Sequence, residues 1–393
     1  MKGGEGTSRG VTVLGSTGSI GESTLRVAAR HLDRFHLVGL AANRSLKRLQ
    51  EQVAEFRPQT AVLADSSLRA SFPAPSPNGV RWEWGREALL ELAADPAAEV
   101  VVNALVGAAG LEPTLQVLKA GKRLALANKE SLVVAGDLVM EAARQGGGML
   151  LPVDSEHSAI LQCLEGSSRA GVSRLVLTAS GGPFRGWDAQ RLAAVGPRDA
   201  LRHPTWNMGA KISVDSATLA NKALEVIEAH HLYGISYPRI EVVVHPQSII
   251  HSLVEFVDGS VMAQMGFPTM ELPILYALSY PERVEDGELR TFDALRSSPL
   301  TFEAVDEKAF PLFGLGISAG RQGGVAPAVF NAANEVAVQA FLEERIGFSG
   351  MARVVGETLE STPSGAAGNL EEILDVDRVA RERARETVRR MES

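Results

Sequence analysis

The sequence predicts an α/β protein: an N-terminal domain on a parallel sheet, then an α+β domain and a small α-helical C-terminal domain. Three observations predict it. Short apolar runs at Val11–Leu14, Phe35–Leu40, Thr60–Ala64, Glu99–Ala104 and Arg123–Ala127 alternate with helical stretches, the order that builds a parallel sheet. Beyond Asp154 the composition changes, and Ser252–Gln264 alternates like a hairpin around Asp258-Gly259. From Pro327 to Arg345 and from Leu370 to Arg389 the pattern is helical with no further strand. At 393 residues the chain exceeds one compact core. The expected division is 1–153, 154–280, a charged linker over 281–302, and 303–393.

Composition excludes several classes. A net charge of −8 leaves no basic footprint for nucleic acid. The start, MKGGEGTSRG, lacks an apolar signal region, and no stretch is apolar enough to span a bilayer. The single cysteine, Cys163, rules out an intrachain disulfide and falls in a helical stretch, as a buried thiol. A cytoplasmic protein with no membrane partner is expected.

The first strand runs into GSTGSIG at 15–21, then a helix over Glu22–His31 and a second strand. Glycines there let backbone approach a pyrophosphate, which the helix N-terminus faces with open N–H groups, as in a Rossmann-like domain. The spacing is G-x-x-G-x-x-G, so the strand-turn-helix context carries the reading. A site for NAD places an acid at the end of the second strand; here stand Asn43, Arg44 and Ser45. Arg44 is placed to meet a 2′-phosphate, which favours NADPH. Asn128, Lys129 and Glu130 follow another strand end and face the same crevice, although each singly is an ordinary helix-start residue.

Met149–Val153 reads as a strand delivering Asp154, Ser155 and Glu156 at its carboxyl end. On an extended segment Asp154 and Glu156 point the same way, and two such carboxylates suit a hard divalent ion, Mg²⁺ or Mn²⁺. An acidic loop is the plainer reading. Ser180 with Gly181 and Gly182 forms either an anion nest or a simple turn. The loop from His203 to Lys211 holds Trp206, Met208 and Gly209, and is either a lid over a ligand or a permanently packed loop. Asp215-Ser216 is expected to cap a helix over Ala217–His231. On it, Lys222 and Glu225 are ordinarily a solvated pair. Ser216, Asn221 and Lys222 are equally what a phosphate monoester needs, and Glu225 would then be a third carboxylate for the metal. His245 and His251 read as satisfied core or interface histidines, and Asn331, Asn334 and Glu335 as helix–helix or linker contacts.

Together GSTGSIG (15–21), ALANKES (125–131), VDSEHSA (153–159), SGGPFR (180–185), HPTWNMGAKISVDSATLANKALEVIEA (203–229) and HPQSIIHS (245–252) closely resemble the 1-deoxy-D-xylulose 5-phosphate reductoisomerase family. The resemblance implies NADPH- and divalent-metal-dependent rearrangement and reduction of 1-deoxy-D-xylulose 5-phosphate to 2-C-methyl-D-erythritol 4-phosphate, in the non-mevalonate isoprenoid pathway. It implies Asp154, Glu156 and Glu225 as ligands of Mg²⁺, Mn²⁺ or Co²⁺, and Ser180, Ser216, Asn221 and Lys222 as phosphate contacts. Ser155 and Lys129 would meet the substrate's oxygen-bearing carbons, with His203, Trp206 and Met208 in a flap over 203–211. Thr17, Gly18, Ser19, Ile20, Asn43, Arg44, Ser45, Asn128, Glu130, Met208 and Gly209 would line the cofactor site. It further implies a homodimer through strands in 240–265. One departure lies at Asn43-Arg44-Ser45, where relatives often carry Gly-Lys-Asn; the basic residue is retained. A semialdehyde or homoserine dehydrogenase on the same layout would need no three-carboxylate metal site for its hydride step.

Overall fold

The computed structural model describes residues 8–72, 79–206, 208–290, 292–363 and 365–392. The proline-rich stretch SFPAPSPN over 71–78, which reads as a loop, therefore lies mostly outside the described residues. The chain forms two compact units. The first takes residues through 131, then 139–158 and 269–289; the second takes 132–138, 159–268 and 290 onward.

The first unit carries a seven-stranded parallel sheet of order β4-β3-β2-β1-β5-β6-β7. Its elements are β1 (Arg9–Leu14), α1 (Ser19–Arg30), β2 (Phe35–Ala42), α2 (Leu46–Phe56), β3 (Thr60–Leu63), β4 (Arg81–Trp84), α3 (Arg86–Ala93) and β5 (Val100–Asn103). Then come α4 (Leu111–Lys119), β6 (Arg123–Leu126), α5 (Lys129–Gly146), β7 (Met149–Pro152) and the start of α6 (Ser155–Leu164), with 132–138 of α5 and 159–164 of α6 counted in the second unit. Central strands β1, β3 and β5 are buried along almost their whole length, as a sheet covered on both faces requires. The strand order reverses between β2-β1 and β5, the point where open α/β sheets bind ligands at their carboxyl ends. Strand β4 (RWEW) gives no sequence signal of its own; Trp82 and Trp84 pack with Phe72 instead.

The second unit holds a five-stranded mixed sheet, β11-β10-β8-β9-β12, and a helical layer. In chain order it comprises β8 (Val172–Ala179), α7 (Ala189–Leu192), α8 (Pro197–Ala200), α9 (Ala210–Ala217), α10 (Ala220–Tyr233), β9 (Ile240–Val244), β10 (Ile250–Phe256) and β11 (Val261–Met265). The expected hairpin is β10-β11, paired antiparallel. The chain next gives α11 (Glu271–Ser279) back to the first unit, where Glu271 pairs with Arg26 and Arg30 of α1. It then resumes the second unit with α12 (Ala294–Ser297), β12 (Glu303–Ala304), α13 (Pro311–Gln322), α14 (Ala326–Leu342), α15 (Phe348–Ser361) and α16 (Leu370–Glu392). One core joins α9, α10 and the C-terminal helices through Val214, Ala223, Ile227, Phe330, Ala337, Phe341 and Val354. Gly316 makes the α10–α13 approach possible: a Cβ there would sit 2.5 Å from that of Ala223. Among the described residues no helix is long and apolar enough to cross a membrane.

Candidate active site

In the first unit the singled-out residues gather at the carboxyl ends of β1, β2, β6 and β7. Gly15 (φ 85°) breaks β1, and Gly18 caps α1 without a side chain, so the first-turn N–H groups stay accessible. A Cβ on Gly21 would lie 2.3 Å from the Gly15 carbonyl oxygen and 2.5 Å from Ser16 Cα, so only glycine lets α1 come down onto this turn. Thr17, Ser19 and Ile20 complete the turn. It is braced by a residue that sequence reasoning missed. Gln52, wholly buried on α2, accepts from Ser16 Oγ at 2.7 Å and donates to the Ser16 carbonyl at 2.9 Å. This cradle fits a dinucleotide pyrophosphate. Beyond β2, Asn43, Arg44 and Ser45 are exposed; Arg44, its side chain 72% exposed, meets Asp65 at 3.2 Å. A surface pair of that kind contributes little, so Arg44 can exchange it for a phosphate.

Asn128 caps α5: its Oδ1 accepts from the Ser131 N–H at 3.0 Å, and its Nδ2 donates to the carbonyls of Leu105 and Gly107 and to Glu130. Lys129, on the first turn, reaches Asp154 Oδ2 at 3.0 Å.

The extended geometry expected for Asp154 and Glu156 is not found. Helix α6 begins at Ser155, and Asp154 Oδ1 accepts from the N–H groups of Glu156 (3.2 Å) and His157 (3.4 Å). Asp154 is thus an N-terminal capping acid, and Glu156 sits in the first helical turn. Ser155 Oγ donates to Glu156 Oε2 at 2.6 Å. Both carboxylates remain partly accessible hard oxygen donors, the set a divalent cation takes.

The second unit builds a different centre at the end of β8. Gly181 (φ 85°) and Gly182 (φ 66°) turn the chain sharply, and the Gly182 N–H donates to Ser180 Oγ at 3.2 Å. A Cβ on Gly182 would meet the Ser216 carbonyl at 2.7 Å, so α9 lies directly against this turn. Lys222 reaches the same place from α10, its Nζ donating to the Thr178 carbonyl at 2.6 Å. Thr178 was not singled out; its hydroxyl also ties β8 to the carbonyls of Ile250 and His251. Ser180, Ser216 and Lys222 are therefore brought together. Asn221 Nδ2 donates to Glu225 Oε1 at 2.5 Å, and Lys222 Nζ to Glu225 Oε2 at 2.5 Å.

Two expectations on these helices need correction. The Lys222–Glu225 pair is not solvated, its side chains being 5% and 1% exposed. Asp215 and Ser216 do not cap a helix: they lie inside α9, and the break falls at Leu219, which adopts a left-handed φ of 59°. His245 and His251 are buried, and His245 is held through Thr301 and the Ile249 N–H.

His203 has a defined tautomer. Its Nδ1 accepts from the N–H groups of Thr205 and Trp206, at 3.1 and 2.9 Å, so the proton resides on Nε2 and is donated to Ser180 Oγ at 2.9 Å. Ser180 Oγ then accepts twice, and its own hydrogen is directed outward. Trp206 is half-buried near the His251 ring, while Met208 and Gly209 lead into α9.

Burial pushes His203 down from 6.5 to about 4, and His231 likewise to about 4. The unfolded chain protonates first, so this stabilisation is complete above pH 6.5 and is lost as pH falls through about 4. Melting temperature should therefore drop across that interval, and His203→Gln should flatten part of the slope. An unchanged slope in that variant would exclude His203 as a source.

A glycine turn on a parallel sheet, an arginine where a NAD site places an acid, and two accessible carboxylates at the carboxyl end of β7 in the same sheet define a dinucleotide-dependent, metal-assisted oxidoreductase. Residues 11–136 match the family model of 1-deoxy-D-xylulose 5-phosphate reductoisomerase, 150–233 that of its C-terminal domain, and 265–383 that of a DXP reductoisomerase C-terminal domain. The chain belongs to the 1-deoxy-D-xylulose 5-phosphate reductoisomerase family. It is 51% identical over 381 residues to that enzyme from Cupriavidus pinatubonensis, covering 95% of this chain and 96% of that one. The Zymomonas mobilis reductoisomerase in complex with NADPH superposes with a TM-score of 0.91 at 44% identity, covering 98% of this chain and 100% of the other. A DOX-P reductoisomerase in complex with NADPH, fosmidomycin and magnesium gives 0.89 at 38% identity, covering 97% and 98%.

Proposed function

We propose that this chain carries out its family's reaction with the residues described above. The chain is an enzyme that rearranges and reduces 1-deoxy-D-xylulose 5-phosphate to 2-C-methyl-D-erythritol 4-phosphate, using NADPH and a divalent metal. When bound, the metal supplies a Lewis acid for the substrate oxygens and NADPH supplies the hydride.

The glycine turn with Thr17, Gly18, Ser19 and Ile20 receives the NADPH pyrophosphate, and Arg44, flanked by Asn43 and Ser45, its 2′-phosphate. Asn128, Glu130, Met208 and Gly209 complete that site. Asp154, Glu156 and Glu225 are the metal ligands of this reading, Mg²⁺, Mn²⁺ or Co²⁺ all suiting such donors. Lys129, held at Asp154, donates to a substrate oxygen beside Ser155.

Ser180, Ser216, Asn221 and Lys222 take the phosphate. The observation that carries this reading is the convergence of the Ser180 turn, Ser216 and Lys222 at one strand end. His203 remains neutral and, by donating to Ser180 Oγ, leaves the serine hydrogen to point at the anion. Trp206 and Met208, in the flap over 203–211, close over the ligand and exclude water. The phosphate does not react; its binding energy is used for that closure.

The functional division we propose is a cofactor domain over 1–153, a catalytic domain over 154–280, a linker over 281–302 and a helical domain over 303–393. The edge strand β11 exposes Val261 (54%) and Met262 (46%), which supports a homodimer formed through the 240–265 strands. A buried thiol as the only cysteine suits the reducing cytoplasm.

The test is NADPH absorbance with purified protein and 1-deoxy-D-xylulose 5-phosphate, with Mg²⁺ or Mn²⁺ and then with a chelator. Consumption should need both substrate and metal, and NADPH binding should survive chelation. Turnover that persists after complete metal removal would overturn the metal assignment.

A further inference from the structure

Asp215 lies inside α9, one residue before Ser216, and is 1% exposed. Its Oδ2 meets Lys211 Nζ at 2.8 Å, and its Oδ1 accepts from Asn334 Nδ2 at 2.8 Å. Lys211 closes the flap segment, and Asn334 is wholly buried on α14. One carboxylate thus joins the exit of the flap, the helix bearing Ser216, and the C-terminal helical layer. The corner that follows is built on the same residue. Thr218 Oγ1 donates to the Asp215 carbonyl at 3.2 Å and accepts from the Ala220 N–H at 3.3 Å, turning the chain into α10 with Asn221 and Lys222.

Helix α14 is itself fixed. Asn331 donates to Glu335 at 3.0 Å, Glu335 pairs with Arg381 of α16 at 2.8 Å, and Arg381 pairs with Asp377 at 2.6 Å. The reaction as assigned uses neither Asp215 nor Asn334. A buried amide–carboxylate pair is costly to desolvate, and an apolar contact would join two helices more cheaply. What the pair adds is direction: a charge-assisted bond holds α9 at one rotation about its axis. A turn of α9 that released Asp215 would carry the adjacent Ser216 away from the Gly182 turn.

We propose that Asn334 is a positioning residue for the substrate phosphate, acting from the C-terminal helical layer through Asp215 on Ser216 and the root of the flap. This rests on Ser216, Asn221 and Lys222 forming the phosphate subsite.

The test uses the full-length enzyme with Asn334→Ala and with Asn334→Leu, which keeps the branching and heavy-atom count but removes the hydrogen bond. It measures competitive inhibition by inorganic phosphate, kcat and KM for 1-deoxy-D-xylulose 5-phosphate, and NADPH affinity. In both variants the inhibition constant for phosphate should rise about tenfold, the equivalent of one hydrogen bond to a charged group. NADPH affinity, which rests mainly on the glycine turn of the first unit, should change by much less than this. The exchanged pair Asp215→Asn with Asn334→Asp restores an amide–carboxylate bond in the opposite sense and should recover phosphate affinity lost in the single variants. An inhibition constant reports only active molecules, so partial misfolding does not move it. If Asn334→Leu leaves it unchanged while Ser216→Ala raises it, Asn334 merely fills space and the proposal falls alone. If Ser216→Ala also leaves it unchanged, the phosphate subsite falls and the proposal with it.

Discussion

Glu225→Gln should cut turnover about 10³-fold, the loss expected when a Lewis acid contributing several kcal/mol is no longer held. Apart from the metal role proposed for it, the carboxylate, with both oxygens bonded by Asn221 and Lys222, is half of a buried ion pair. Taking the charge from one side of such a pair costs about 3–5 kcal/mol, so the variant should also melt earlier. The two effects separate experimentally. NADPH binding measured well below the melting transition reports the folded fraction, and turnover per folded molecule gives the catalytic loss. Turnover near that of the unaltered enzyme, once corrected in this way, would remove Glu225 from the metal site.

Gly21→Ala should weaken NADPH binding about 10- to 100-fold, corresponding to about 1–3 kcal/mol of overpacking released by displacing the turn. The added carbon would meet backbone atoms of Gly15 and Ser16, which cannot rotate away as a side chain can. Gly287→Ala is the matched control, since Gly287 belongs to the same unit but lies outside the turn, and its Cβ would meet no atom within 4 Å. Fluorescence titration with NADPH distinguishes them. Equal affinities in the two variants would mean that the close approach at Gly21 plays no part in holding the cofactor.

The glycine turn was legible because its cause is local: a strand, a sharp turn and a helix follow one another within a few residues, and each leaves its own pattern. The same holds for Ser180 with its glycines and for the β10-β11 hairpin. Asp154-Ser155-Glu156 was found for a reason that did not hold. Alternation along a strand would turn both acids to one side, whereas the aspartate serves as a helix cap. The break at Leu219 left no trace, because a leucine in a left-handed conformation is held there by its surroundings rather than by its own preference. Gln52 was illegible for another reason, and Asn334, which reads as a helix contact and does join α14 to α9, gave no hint of its partner. The partners of these two stand 36 and 119 residues away, and an isolated glutamine or asparagine carries no period that would point to them. Lys222 and Glu225 were seen as a pair, but their burial depends on the helices above them.

The return of residues 269–289 to the first unit bears on how the chain matures as it is made. Glu271 of α11 holds Arg26 and Arg30, and Asp286, beyond α11 in the same returning segment, holds Arg30 and His31, so α1 gains these anchors from residues 269–289. Domains commonly fold during synthesis, N-terminal first. Here the cofactor-binding half cannot be finished until Leu289 has been added, by which time β8 through β11 already exist. A nascent chain halted after β7 would carry the complete seven-stranded sheet and the glycine turn, yet the helix that faces the pyrophosphate would still lack the partners that clasp its far end.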